Sequence, residues 1–163
     1  MAKKKWILPG VAALMVVAAI LVVALMPGKN AGRGSLAERN QNGDIVVRGK
    51  GLFSDKVAFF RVAEDSGIEL LARIGEDGGV KVALGTCQSC NGSPGAYYTQ
   101  EGNLLKCNNC GLTFPLSVLD SPGGGCHPIM IDPSIIRETQ DGVVLDASAL
   151  LQYEYLFEKV AAH

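Results

Sequence analysis

The apolar pattern divides the chain into stretches of different period. From Trp6 to Met26, 21 residues carry no charge, and Lys3, Lys4 and Lys5 precede them. At about 1.5 Å per helical residue such a run reaches roughly 30 Å, the thickness of a bilayer's hydrocarbon core. This predicts a transmembrane anchor over residues 6–26. Pro9 and Gly10 fall in its first turns, where a missing amide proton costs least, and Trp6 stands at the interface. A cleaved signal peptide shares the basic start and apolar run. Against cleavage, the run is long and Met26-Pro27-Gly28-Lys29 is a poor small-x-small site, while Val22-Val23-Ala24 is a weak one. The positive-inside tendency places residues 1–5 in the cytoplasm and the chain beyond the anchor outside, although Lys29, Arg33 and Arg39 dilute that bias.

Residues 27–43 are rich in Gly, Asn and charge and read as a flexible tether. Beyond them the period shortens to that of strands. Asp44–Arg48, Val57–Ala63, Ile68–Ile74 and Val80–Leu84 are short runs of branched and aromatic residues. Turn chemistry separates the later ones, at Glu64-Asp65-Ser66-Gly67 and at Gly75-Glu76-Asp77-Gly78-Gly79. Val80, Val82 and Leu84 alternate with Lys81 and Ala83, as a strand with one buried face should. The pattern predicts an antiparallel meander whose last strand runs into Gly85-Thr86-Cys87. Residues 85–128 are glycine-rich and hold every cysteine, so a bound ion would have to organise them. Val143–Leu145 is a further strand. Asp146 caps a closing helix over Ala147–Ala161, with Leu150, Tyr153, Phe157 and Val160 on its core-facing side.

The expected fold class is therefore mainly β (α+β). A transmembrane helix precedes a small antiparallel β domain over residues 44–163, with a cysteine-rich metal ribbon and a C-terminal helix. A net charge of −1 without a basic stripe argues against nucleic acid as a partner. No Ser/His/Asp constellation, phosphate loop or carboxylate pair stands out, and two histidines leave little room for acid–base work, so a carrier is expected rather than an enzyme.

The chemistry lies in the cysteines. Cys87/Cys90 and Cys107/Cys110 are two C-x-x-C pairs separated by 16 residues, a spacing that can close a four-sulfur tetrahedron around one ion. In Cys107-Asn108-Asn109-Cys110-Gly111 the glycine relieves crowding and frees amides to donate to sulfur. Phe114 supplies an apolar cover. Disulfides would leave one of five cysteines unpaired and do not need C-x-x-C pairs. Neither pair has the C-x-x-C-H form of covalent haem attachment, and no βαβ pattern supports a thioredoxin-like motif. Sulfur spacing does not separate zinc from iron. Cys126 is a fifth thiol, in Gly123-Gly124-Gly125-Cys126-His127-Pro128, with Met130 nearby. Cys126, His127 and Met130 can complete a cluster, exchange with one of the four cysteines, or hold a second soft ion such as copper(I). An ordinary tight turn with a buried free cysteine and a solvated histidine is the plain alternative.

These residues also carry a resemblance. Phe59-Phe60, a glycine-containing hairpin, Cys-x-x-Cys, Gly95-Ala96-Tyr97-Tyr98, Cys107 through Pro115 and Gly124-Gly125-Cys126 together resemble the FtrD-like membrane iron–sulfur proteins, over roughly residues 44–150. The resemblance implies a membrane-anchored protein with an iron–sulfur cluster held by Cys87, Cys90, Cys107, Cys110 and Cys126. It also implies electron delivery outside the cytoplasm, in some members beside an iron permease or another membrane redox partner. The competing readings are a structural zinc-ribbon interaction module and a copper or iron metallochaperone using Cys126, His127 and Met130.

Overall fold

The structure is a computed structural model that describes residues 34–63 and 66–160. Among these no helix is long and apolar enough to cross a membrane, and the expected anchor over residues 6–26 lies outside them.

Among the described residues, twelve strands form three sheets. The central sheet has the order β1 (Ser35–Leu36), β4 (Ala58–Arg61), β5 (Glu69–Ile74), β6 (Val80–Cys87) and β10 (Pro128–Met130). On one side lies a sheet of β11 (Ile136–Thr139), β12 (Gly142–Leu145), β3 (Ile45–Arg48) and β2 (Glu38–Arg39). On the other lies a ribbon of β7 (Tyr98–Glu101), β8 (Leu104–Cys107) and β9 (Thr113–Pro115). All pairings are antiparallel except β1 with β4, which is parallel.

The period of two along β5 and β6 makes the central sheet two-sided. Leu70, Ala72, Val82 and Leu84 pack with Ile45, Val47, Val143 and Leu145 of the second sheet. Leu71, Ala83 and Cys87 belong instead to a separate apolar cluster with Tyr98, Leu105, Cys107, Leu116 and Leu119. Each fully buried leucine contributes about 1.5–3 kcal/mol by leaving water. Cys87 shares its strand parity with Ala83, so extending β6 to residue 87 aims its thiol at the ribbon rather than at the larger core.

Charge is buried on that same face. Arg73, on β5, reaches Asp120 at 3.2 Å, with side-chain exposures of 5% and 18%. Asp120 follows the short 3-10 turn Leu116–Leu119 and also accepts the Glu76 amide at 3.2 Å. This polar clamp fixes the segment after the ribbon against the central sheet.

Three sequence expectations change here. Asp44–Arg48 is a strand as expected, but it pairs with β12 and β2 rather than joining the meander of β4, β5 and β6. Part of the expected tether is folded, since Ser35–Leu36 pairs with Phe60 and Arg61 while Glu38–Arg39 pairs with Val46 and Ile45. The closing helix is one α-helical turn, α1 (Ala147–Leu150), followed by 3-10 geometry over Leu151–Leu156. Its cap is as expected: Asp146 accepts the Ser148 and Ala149 amides at 2.9 and 3.1 Å. Leu150, Leu156 and Phe157 are buried in the larger core, and Tyr153 and Val160 pack against it. Leu150, Tyr153 and Leu156 recur every third residue, the repeat that a 3-10 turn aligns on one face.

Candidate metal centre

Two knuckles project from adjacent strand ends. The first begins at Cys87, the last residue of β6, and turns through Gln88 and Ser89 to Cys90. The Cys90 carbonyl accepts the Ser93 amide at 3.1 Å, and Gly92 follows with φ +88°, a conformation that a side chain would oppose. The second begins at Cys107, the last residue of β8, where the Cys107 carbonyl accepts the Gly111 amide at 2.9 Å and Gly111 has φ +75°. In both knuckles amides turn inward: the Cys90 N–H is directed to Cys87 sulfur, and those of Asn109 and Cys110 to Cys107 sulfur. This is the amide donation expected of thiolate knuckles, and it stabilises negative sulfur.

The knuckles are locked to each other. Thr86 bridges Tyr97 in antiparallel fashion, Thr86 Oγ1 donates to the Ala96 carbonyl at 2.7 Å, and Tyr98 is the cross-strand partner of Cys107. Gly95 lies flat on Asn109, where an added Cβ would sit 3.1 Å from its Cα, and Ser93 donates to Asn109 Oδ1 at 2.5 Å.

All five cysteines are free thiols, and they meet. The sulfurs form two groups in which every sulfur lies within 4.8 Å of the others, Cys87/Cys90/Cys107 and Cys90/Cys110/Cys126. Cys126 Sγ is 3.4 Å from Cys110 Sγ and 3.9 Å from Cys90 Sγ. The arrangement is graded in depth: Cys87 and Cys107 are buried, Cys90 and Cys126 half-buried, and Cys110 exposed. Among the described residues no such group holds both Cys107 and Cys110, so the pair expected to close one tetrahedron with Cys87 and Cys90 is divided between two triads. Cys90 is their common member.

The His127 ring packs 5.3 Å from the Phe114 ring, and its buried Nδ1 is turned toward Gly123, where any side chain would overlap it. Neither triad includes it. Met130, on β10 opposite Ala83, packs against the apolar cluster that contains Cys87 and Cys107. Phe114 packs on the same cluster, in keeping with its expected role as a cover.

Tyr98 is a site residue that the pattern of cysteines did not reveal. It is fully buried, and its hydroxyl donates to the Cys126 carbonyl. The same hydroxyl lies within hydrogen-bonding reach of Cys87. Its signal in the sequence is an aromatic at the start of a hairpin whose second strand ends in the second knuckle.

The thiols are electrostatically unequal. Burial pushes the Cys87 thiol up, but hydrogen bonds from Tyr98, the Cys90 amide and neighbouring thiols outweigh it and hold the thiol below its ordinary range. Burial pushes the Cys107 thiol up to about 12, against the opposing amides of Cys110 and Asn109. Contact with the Cys110 thiol, followed by burial, raises Cys126. Burial first and Cys87 second raise Tyr98 well above the ordinary phenol range.

Metal–sulfur bonds of about 2.3 Å place sulfurs on one tetrahedral ion roughly 3.8 Å apart. The 3.4 and 3.9 Å separations fit shared coordination of that kind. Five thiols, knuckle amides and a closed apolar floor suit a soft, thiolate-bound centre, and a single closed four-sulfur ion leaves one of the five unused.

Fold and site define a small layered β protein with two C-x-x-C knuckles and a clustered five-cysteine site capable of metal binding. The family described as "Membrane iron-sulfur containing protein FtrD-like" matches residues 52–157, and the chain belongs to it. No curated protein and no solved structure matches the chain.

Proposed function

We propose that this protein is a membrane-anchored electron carrier whose extracytoplasmic domain holds an iron–sulfur cluster on Cys87, Cys90, Cys107, Cys110 and Cys126, and that it supports iron uptake. The observation that carries the reading is Cys126 Sγ, which stands 3.4 Å from one knuckle cysteine and 3.9 Å from another. A structural zinc ribbon needs four thiols and has no use for a fifth. The family match supplies iron and sulfide as the chemical class.

When bound, such a cluster supplies a one-electron couple. The chain's part is to hold it and to set its surroundings. Cys87 and Cys107 form the dry floor, and amides of Cys90, Asn109 and Cys110 offset thiolate charge. Cys110 is the exposed edge, beside Leu112 at 54% exposure, and offers a partner the shortest approach. The partner on this reading is an iron permease assembly or a membrane redox protein.

The zinc-ribbon reading keeps one specific observation in its favour, the pair of amide-lined knuckles. Metal and sulfide analysis decides between them, with an anaerobic visible spectrum of the full chain purified in detergent. Iron with acid-labile sulfide and a brown, dithionite-bleached band is the expected result. Stoichiometric zinc without colour overturns the electron-carrier reading.

A further inference from the structure

The loop that delivers Cys126 has little of its own to hold it. Residues 121–125 are exposed. Among the described residues, the nearest backbone hydrogen bonds on either side are Asp120 N to the Ser117 carbonyl and Gln88 N to the His127 carbonyl, both at 2.9 Å. Pairing of β10 with β6 is irregular where the loop joins it, between Pro128 and Ile129. A thiol on such a loop would ordinarily sample many positions, and ordering it opposes chain entropy. Yet its sulfur sits between Cys90 and Cys110.

The anchor comes from the ribbon. Tyr98 is rigidly placed, being wholly buried, paired with Cys107 across the strands and packed with Cys87 and Leu105. Its hydroxyl reaches out of that cluster and donates to the main-chain carbonyl of Cys126 itself. We infer that Tyr98 is the positioning residue that makes Cys126 a ligand, its hydroxyl fixing the Cys126 backbone so that the fifth thiol meets Cys90 and Cys110. This inference rests on the reading of the five cysteines as a metal centre. The phenol also brings a donor dipole to the buried floor, beside Cys87. Such a dipole favours the more negative, reduced form of a thiolate-bound centre and so raises its potential.

The test uses the full chain, loaded with its metal and kept anaerobic, and compares wild type with Tyr98→Phe, which removes only the hydroxyl. Iodoacetamide under native conditions, read residue by residue by mass spectrometry, reports which thiols the metal protects. Loss of one neutral hydrogen bond should raise the Cys126 alkylation rate about five- to tenfold. Cys87, Cys90, Cys107 and Cys110 should stay protected at an unchanged metal content. The midpoint potential, by dithionite titration, should move to a more negative value. A merely structural tyrosine would expose the five thiols together as the domain loosens. Equal alkylation of Cys126 and an equal potential in both proteins overturn the inference.

If Tyr98→Phe does not fold, fluorotyrosine incorporated at position 98 keeps the shape and strengthens the donor. A higher potential is then expected, and an unchanged one overturns the inference. A colourless zinc-loaded protein would end the electron-carrier reading alone. The alkylation comparison would still decide the role of Tyr98, because any thiolate-bound ion protects its ligands.

Discussion

Cys110 and Cys126 are separated by sixteen positions in the chain, and their sulfurs lie 3.4 Å apart. Neither belongs to the buried floor of the site, where Cys87 and Cys107 stand. The centre therefore has an inner and an outer half joined through Cys90, and substitutions in the two halves should have different consequences.

Cys107→Ser removes a fully buried thiol, and should abolish metal loading and lower the melting temperature of the purified protein. Cys126→Ser acts on the outer half, and should change the spectrum or the metal-to-protein ratio with the fold retained. Metal analysis with thermal melting of both variants checks this. Equal loss of fold in the two would contradict the division into halves.

Metal removal should loosen one layer more than the others. Cys87 and Cys107 belong to the cluster that contains Tyr98, Leu105 and Leu119, whereas the larger core is built from Ile45, Val47, Leu70, Leu84, Val143 and Leu145. After chelation, amide hydrogen exchange should accelerate across Tyr98–Pro115 while Ile45–Arg48 and Gly142–Leu145 stay protected. Uniform acceleration through all three sheets would show that the layers are one cooperative unit.

Asp120→Ala should destabilise the domain by about 3 kcal/mol, because it leaves the Arg73 guanidinium buried without its carboxylate. Arg73 is only 5% exposed at its side chain and still donates from Nε to the Ile74 carbonyl at 3.0 Å, so it cannot simply turn to water. Urea unfolding of the metal-loaded protein measures the loss. A change below about 0.5 kcal/mol, the usual range for surface sites, would mean that the pair is solvated in solution.

Alkaline pH should weaken the metal-free fold. The Cys107 thiol is pushed from 9.0 to about 12 by burial, so the native state holds a proton that the unfolded chain releases earlier. Stability from this group is fully present below about pH 9 and is lost as pH rises through about 12. Cys126 and Tyr98 are shifted in the same direction and add to the loss, while Cys87 is shifted the other way and offsets part of it. Melting temperature against pH should fall through this window for metal-free protein. In loaded protein the fall should be smaller, since the ion has already displaced the thiol protons.

The hairpin of β5 and β6 was legible because Gly75-Glu76-Asp77-Gly78-Gly79 interrupts two runs of branched residues, and Lys81 and Asp77 even close the turn with an ion pair at 2.6 Å. The two knuckles were legible because C-x-x-C spacing and a following glycine are local requirements. The β7–β8 hairpin was less visible, although Gly102-Asn103 joins Glu101 to Leu104 in a two-residue turn with Gly102 at φ +59°. Its polar Thr99, Gln100 and Lys106 hide the alternation of Tyr98, Leu105 and Cys107.

By itself the sequence determined what neighbouring residues can decide: strand runs, turns, the helix cap at Asp146, and two metal knuckles of fixed spacing. Only the tertiary structure decided which strands meet, placing Ile45 beside Leu145 instead of in the meander. It alone brought Cys126 to Cys90 and Cys110, and Tyr98 to the Cys126 carbonyl. The physical reason is common to these cases. A period of two says that a side chain will be buried, but not against what, and a glycine-rich loop has no period at all. Its position comes from contacts made after the sheets have packed.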